Sequence, residues 1–124
     1  QGDPNDPLVR QGEDVFQKIG CGSCHIPSLN GSSGPVPLYS DLLLHEILPP
    51  GAHGIPSGSA NMREFRTSPL WGIRDTAPYM HSGEADTLEE AIDLHDGEGA
   101  SSRDAYHKLD LDELKAIIAF LKSL

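Results

Sequence analysis

The chain has only two cysteines among its 124 residues, no long run of apolar residues, and few basic side chains, nine Lys and Arg against 19 Asp and Glu. Each scarcity excludes something. A helix that crosses a bilayer needs roughly 20 consecutive apolar residues, so no membrane insertion is predicted. A formal charge of −10 disfavours nucleic acid and anionic lipid as partners and favours a partner with a basic docking surface. Two cysteines leave no second Cys or His pair at the spacing of a structural zinc cluster. Strand-like alternation, internal repeats and low-complexity tracts are also missing. The expectation is one all-α domain over residues 1–124.

Glycine and proline are plentiful, 13 and ten, with many between Pro27 and Ser59. That leaves too few helix formers for a packed bundle of this length, so a bound group is expected to complete the core. The group is suggested by Cys21-Gly22-Ser23-Cys24-His25. C-x-x-C-H is the attachment motif of c-type haem, with thioethers at Cys21 and Cys24 and His25 as the proximal iron ligand. A redox dithiol would follow a strand and open a helix, whereas Gly20 ends a helical segment just before Cys21. A disulfide would not need His25. One covalently bound haem c is therefore expected. Covalent attachment takes place outside the bacterial cytoplasm, which predicts a periplasmic or extracellular protein whose Gln1 follows a removed leader or an artificial chain start.

Asp6 and Pro7 form a helix start, after which Leu8, Gly12, Val15, Phe16 and Ile19 share one face. Thr87 with Glu90, and Asp110 with Glu113, make capping-box starts. The first opens a helix that ends near Asp96-Gly97 with His95 in its last turn; the second opens a C-terminal helix carrying Leu111, Leu114, Ile117, Ile118 and Leu121. Gly12, four residues before Phe16, permits a close helix approach, and Phe120 is its expected counterpart where the terminal helices cross. Ile26 to Arg66 is predicted as one long loop with a helical turn within Leu42 to Leu48.

Helix, C-x-x-C-H, loops and a final amphipathic helix together resemble the class I cytochrome c fold, with long loops wrapping one haem. The run Phe65-Arg66-Thr67-Ser68-Pro69-Leu70-Trp71-Gly72-Ile73-Arg74, followed by Ala77-Pro78-Tyr79-Met80-His81-Ser82-Gly83 and Thr87-Leu88-Glu89-Glu90-Ala91-Ile92, is similar to the C-terminal haem domain of bacterial di-haem cytochrome c peroxidases. With Tyr39-Ser40-Asp41-Leu42-Leu43-Leu44-His45 it resembles still more closely their di-haem thiol-oxidoreductase-like relatives. The motif's usual Asp after His81 is Ser82 here. Family members carry two haems; a single C-x-x-C-H implies a mono-haem chain without the domain of the peroxidatic haem.

The second axial ligand decides the function, and the candidates are Met80, Met62, His45, His53, His81 and His95. A thioether in a Pro-containing loop favours Met80 on general grounds. The family resemblance instead implies His95, at the end of the helix that follows the His81 motif, with Met80 packing on the haem and His81 near its edge. Arg66, Trp71 and Arg74 are candidate partners of the haem propionates, with Arg74 alternatively paired to Asp75. His45, His53 and His107 are read as surface residues. Bis-histidine ligation implies a low-spin, six-coordinate iron that transfers electrons, at a lower potential than a His/Met pair would give. The alternatives are a His25/Met80 cytochrome, a peroxidase-like or thiol-oxidising enzyme with a labile ligand, and a haem-based sensor.

Overall fold

Asp6 accepts a hydrogen bond from the Leu8 amide at 2.8 Å and Pro7 fills the first helical position, so α1 runs Pro7–Lys18. Gly20 ends it in a left-handed conformation, φ +93°, its N–H bonded to the Gln17 carbonyl. The computed structural model describes residues 2–52 and 54–124. Further along are α2 (Leu88–Asp93), α3 (Ala100–Tyr106) and α4 (Leu111–Ser123), with both expected capping boxes formed, at Thr87/Glu90 and Asp110/Glu113. Among the described residues, no helix is long and apolar enough to cross a membrane.

The core lies where α1 crosses α4. At Gly12 an added Cβ would sit 2.0 Å from the Ala116 carbonyl oxygen and 2.6 Å from Phe120 Cβ, so only glycine allows the approach. Phe16 and Phe120 meet edge to face with centroids 5.3 Å apart, and Val15, Ile117 and Leu121 complete the buried layer. Leu70 and Leu88 extend that layer toward the middle of the chain.

The all-α expectation requires correction. Two small antiparallel sheets are present, β1 (Leu29–Gly31) with β2 (Gly34–Val36) and β3 (Leu44–Glu46) with β4 (Glu64–Arg66). The segment read as a helical turn is loop and strand instead. Leu42, Leu43 and Leu44 are all exposed, at 39, 60 and 41%, and Leu42 is left-handed at φ +58°, so this apolar stretch has no buried helical face. Its anchor is Ser40, fully buried, whose hydroxyl donates to the Thr67 carbonyl at 2.7 Å and accepts from the Leu42 amide at 2.9 Å. Ser40→Ala would leave the buried Thr67 carbonyl without this partner and is expected to cost about 1–3 kcal/mol. Denaturant unfolding of the haem-loaded protein checks this; an unchanged midpoint would show that the hydroxyl is dispensable.

Candidate cofactor site

α1 feeds directly into a 3₁₀ turn, Cys21–Ser23, in which the Cys24 and His25 amides both donate to the Cys21 carbonyl, at 3.4 and 3.0 Å. This turn places both thiols and the His25 ring on the wall of a cavity of about 720 Å³. That volume falls within the roughly 300–1,000 Å³ of cofactor and ligand clefts. Its apolar walls include Leu48, Leu70, Ile73, Tyr79 and Met80, and His95 lines it as well.

The two imidazoles are held in the same way. His25 Nδ1 is 2.9 Å from the Tyr39 carbonyl, and His95 Nδ1 is 2.7 Å from the Ala91 carbonyl. An Nδ1–H donated to a carbonyl fixes the tautomer and leaves the Nε2 lone pair available to a metal. Tyr39 adopts a left-handed backbone, φ +50°, which turns its carbonyl to His25. Burial pushes the His25 pKa down to about 4, with the neighbouring His95 acting in the same direction, and burial lowers His95 too. Both rings are therefore neutral at pH 7, the state in which imidazole ligates.

Burial raises the Cys21 thiol to about 11 and raises Cys24 as well, and no disulfide joins them. A redox dithiol needs a stabilised thiolate, so these environments disfavour that reading. The donor set suits a covalently attached haem instead. Two thiols stand at one margin, two neutral imidazoles on the wall, and the remaining lining is largely apolar.

The other sequence candidates divide. Met80, left-handed at φ +68°, Arg66 and His81 line the cavity, and His81 stacks on Phe65 with ring centroids 4.3 Å apart. Trp71 and Arg74 are not brought to it. Trp71 is 52% exposed beside Pro37 and Tyr39 in a separate shallow groove, and Arg74 pairs with Asp75 at 3.1 Å. Met62 is exposed away from the cavity, His107 pairs with Asp93 on the surface at 2.6 Å, and His53 lies outside the described residues.

His45 corrects the surface assignment. It lines the cavity, with Nε2 2.8 Å from Asp41 Oδ2 and Nδ1 3.3 Å from Glu98 Oε1. Asp41 and Glu98 raise its pKa. Burial works against the Asp41 charge, but the Leu43 amide and His45 outweigh it and hold the carboxyl low, while the Glu46 amide and His45 lower Glu98. Cys24, Asp41 and His45 also offer donor atoms within 4.8 Å of one another. The spacing of Asp41 and His45 is the only local signal for this cluster, because Glu98 is 53 residues from His45 in sequence.

Residues 3–124 match the family model described as di-haem oxidoreductase, putative peroxidase. Among curated relatives, the cytochrome-c peroxidase IdrP2 of Pseudomonas sp. (strain SCT) is 31% identical over 94% of this chain and 39% of its own length. The cytochrome c551 peroxidase of Nitrosomonas europaea is also 31% identical, over 92% of this chain and 33% of its own length. The chain thus spans about a third to two-fifths of the length of these relatives. The crystal structure of a MauG-like protein associated with microbial copper homeostasis superposes with a TM-score of 0.58 at 24% identity, covering 95% of this chain and 46% of that one. That likeness speaks to the fold alone.

Proposed function

Because the chain belongs to the di-haem oxidoreductase family, we propose that it carries one haem c on Cys21 and Cys24, with iron between His25 and His95, and serves as a periplasmic or extracellular electron-transfer domain of class I cytochrome c type. When bound, the haem supplies reversible one-electron exchange between ferric and ferrous iron. The observation that carries the reading is the matched pair of neutral, Nε2-presenting imidazoles on one apolar cavity. His25 and His95 would both hold the iron, and peroxide would have to displace one of them to bind. Leu48, Leu70 and Tyr79 supply apolar wall for the haem ring, and Met80, which lines the same cavity, would pack there rather than ligate. Arg66 is the cation lining the cavity that is available to a propionate. The chain's formal charge of −10 would favour a redox partner with a basic docking surface.

A second reading rests on the names of the relatives, which are peroxidases. A peroxidase-like role needs a distal ligand that leaves. Mixing the reduced protein with carbon monoxide separates the two. Two firmly held imidazoles predict slow and incomplete binding, whereas fast stoichiometric binding would favour the enzyme. Electron transfer to a basic partner should also slow as salt is raised from about 0.01 to 0.1 M, over which the screening length falls from about 30 to 10 Å. A salt-independent rate would remove the charge-steering part of the proposal.

A further inference from the structure

The turn that follows α2 is weak by itself. It comprises His95, Asp96 and the single 3₁₀ turn Gly97–Gly99, and a short 3₁₀ segment with two glycines has little preference for one conformation. Yet it carries the proposed distal ligand. Its backbone is tied outward at two points. The Asp96 amide donates to the Ile47 carbonyl at 2.7 Å, and Arg103 Nη1 donates to the His95 carbonyl at 3.0 Å. Gly97, at φ +52°, lies so close to β3 that a Cβ would come 2.3 Å from the Glu46 carbonyl oxygen.

Glu98 is the only residue of the 3₁₀ turn with a side chain, and that side chain makes a double bridge. Its Oε2 accepts from the Glu46 amide at 2.6 Å and its Oε1 faces His45 Nδ1 at 3.3 Å. His45 Nε2 in turn meets Asp41 at 2.8 Å, and the Asp41 amide donates to the Cys24 carbonyl at 2.8 Å. A continuous polar chain therefore runs from the turn behind His95 to the turn that bears Cys24 and His25. With a carboxylate at each ring nitrogen, His45 can satisfy both only as the doubly protonated cation.

We propose that Glu98 is the positioning residue of the distal ligand, its bridge to Glu46 and His45 fixing the His95 turn relative to the Cys21–His25 turn. The assignment rests on His95 being that ligand. Groups bonded directly to a metal ligand change metal affinity or activity by about 10- to 100-fold when removed, and Glu98, which acts one step further out, is expected at the low end of that range. Glu98 is largely exposed, its side chain 55% accessible, so its removal leaves the buried core intact.

The test uses the haem-loaded protein and reads cyanide binding to ferric iron, which requires the distal ligand to leave, alongside the ferric EPR spectrum and the thermal midpoint. Glu98→Ala is expected to accelerate cyanide binding about 10-fold and to broaden the low-spin signal. Glu98→Gln, which keeps an acceptor for the Glu46 amide but loses the charge facing His45, should fall between. His45→Gln should resemble Glu98→Gln and supplies the same readout if Glu98→Ala loads haem poorly. A wild-type bis-imidazole signal with unchanged cyanide kinetics in these variants, whatever their thermal midpoint, would overturn the positioning role alone. A wild-type spectrum without a bis-imidazole signal would overturn the ligand assignment and this role with it.

Discussion

Replacing His95 with alanine is expected to convert the ferric protein from a low-spin to a high-spin or water-ligated form, with fast carbon monoxide binding after reduction. The side chain removed is half-buried in the cavity wall, its Nδ1 committed to Ala91 and its Nε2 the group left for iron. Met80→Ala should leave the spectrum nearly unchanged, since the proposed ligation gives Met80 a packing role only. Added imidazole should restore the low-spin spectrum of His95→Ala, because the vacated site readmits the missing ring. That rescue separates lost ligation from a damaged fold. The opposite pattern, a spectral change in Met80→Ala and none in His95→Ala, would assign the iron to the thioether and raise the expected potential.

The second large effect belongs to Gly12. Its α-carbon faces the backbone of α4, and a Cβ there would meet the Ala116 carbonyl oxygen at 2.0 Å. Backbone cannot rotate away as a side chain can, so Gly12→Leu must part the two terminal helices and open the layer of Val15, Phe16, Ile117 and Phe120. Overpacking of this kind costs about 1–3 kcal/mol and sometimes more, which for a domain of this size lowers the thermal midpoint by about 10 °C. The displacement also reaches the cofactor site, since α1 ends at the Cys21–Ser23 turn and Phe16 lies 6.4 Å from the His25 ring. Poor haem loading of Gly12→Leu is therefore expected together with the lower midpoint, and Gly12→Ala should show a smaller version of both. Wild-type loading and melting in Gly12→Leu would mean that the helix crossing does not govern the site.

What is legible in the sequence is what local rules encode. Asp6-Pro7, Thr87 with Glu90 and Asp110 with Glu113 announce helices because capping is a matter of three or four adjacent residues, and all three helices start there. The Gly12 approach to Phe120 is legible because a lone glycine on an apolar helical face has few other uses. The sheets are not. Strands of three residues are too short to show a period of two, and β2 holds Gly34 and Pro35, residues that ordinarily argue against a strand. α3 gives no such signal either, because Gly99 caps it with no side-chain bond and its apolar residues, Ala100, Ala105 and Tyr106, make no helical stripe.

The site shows the same division. Cys21, Cys24 and His25 sit on one turn and can be named from spacing, whereas the His95 reading needs the family resemblance, and the structure places that residue in the same cavity. His45 reads as a surface residue because both of its carboxylate partners matter and only one, Asp41, is near in sequence. Arg66, Trp71 and Arg74 look equivalent as propionate partners, but only Arg66 lines the cavity, Trp71 being exposed in a separate groove and Arg74 paired with Asp75.

Ligation of the iron by two imidazoles, as proposed, has a distinct spectroscopic signature. EPR and near-infrared absorption of the ferric protein test it most directly. The expected result is a low-spin bis-imidazole signal with no thioether charge-transfer band. A methionine band would move the distal ligand to Met80, and a high-spin spectrum would leave the distal position open; either would contradict ligation by His25 and His95.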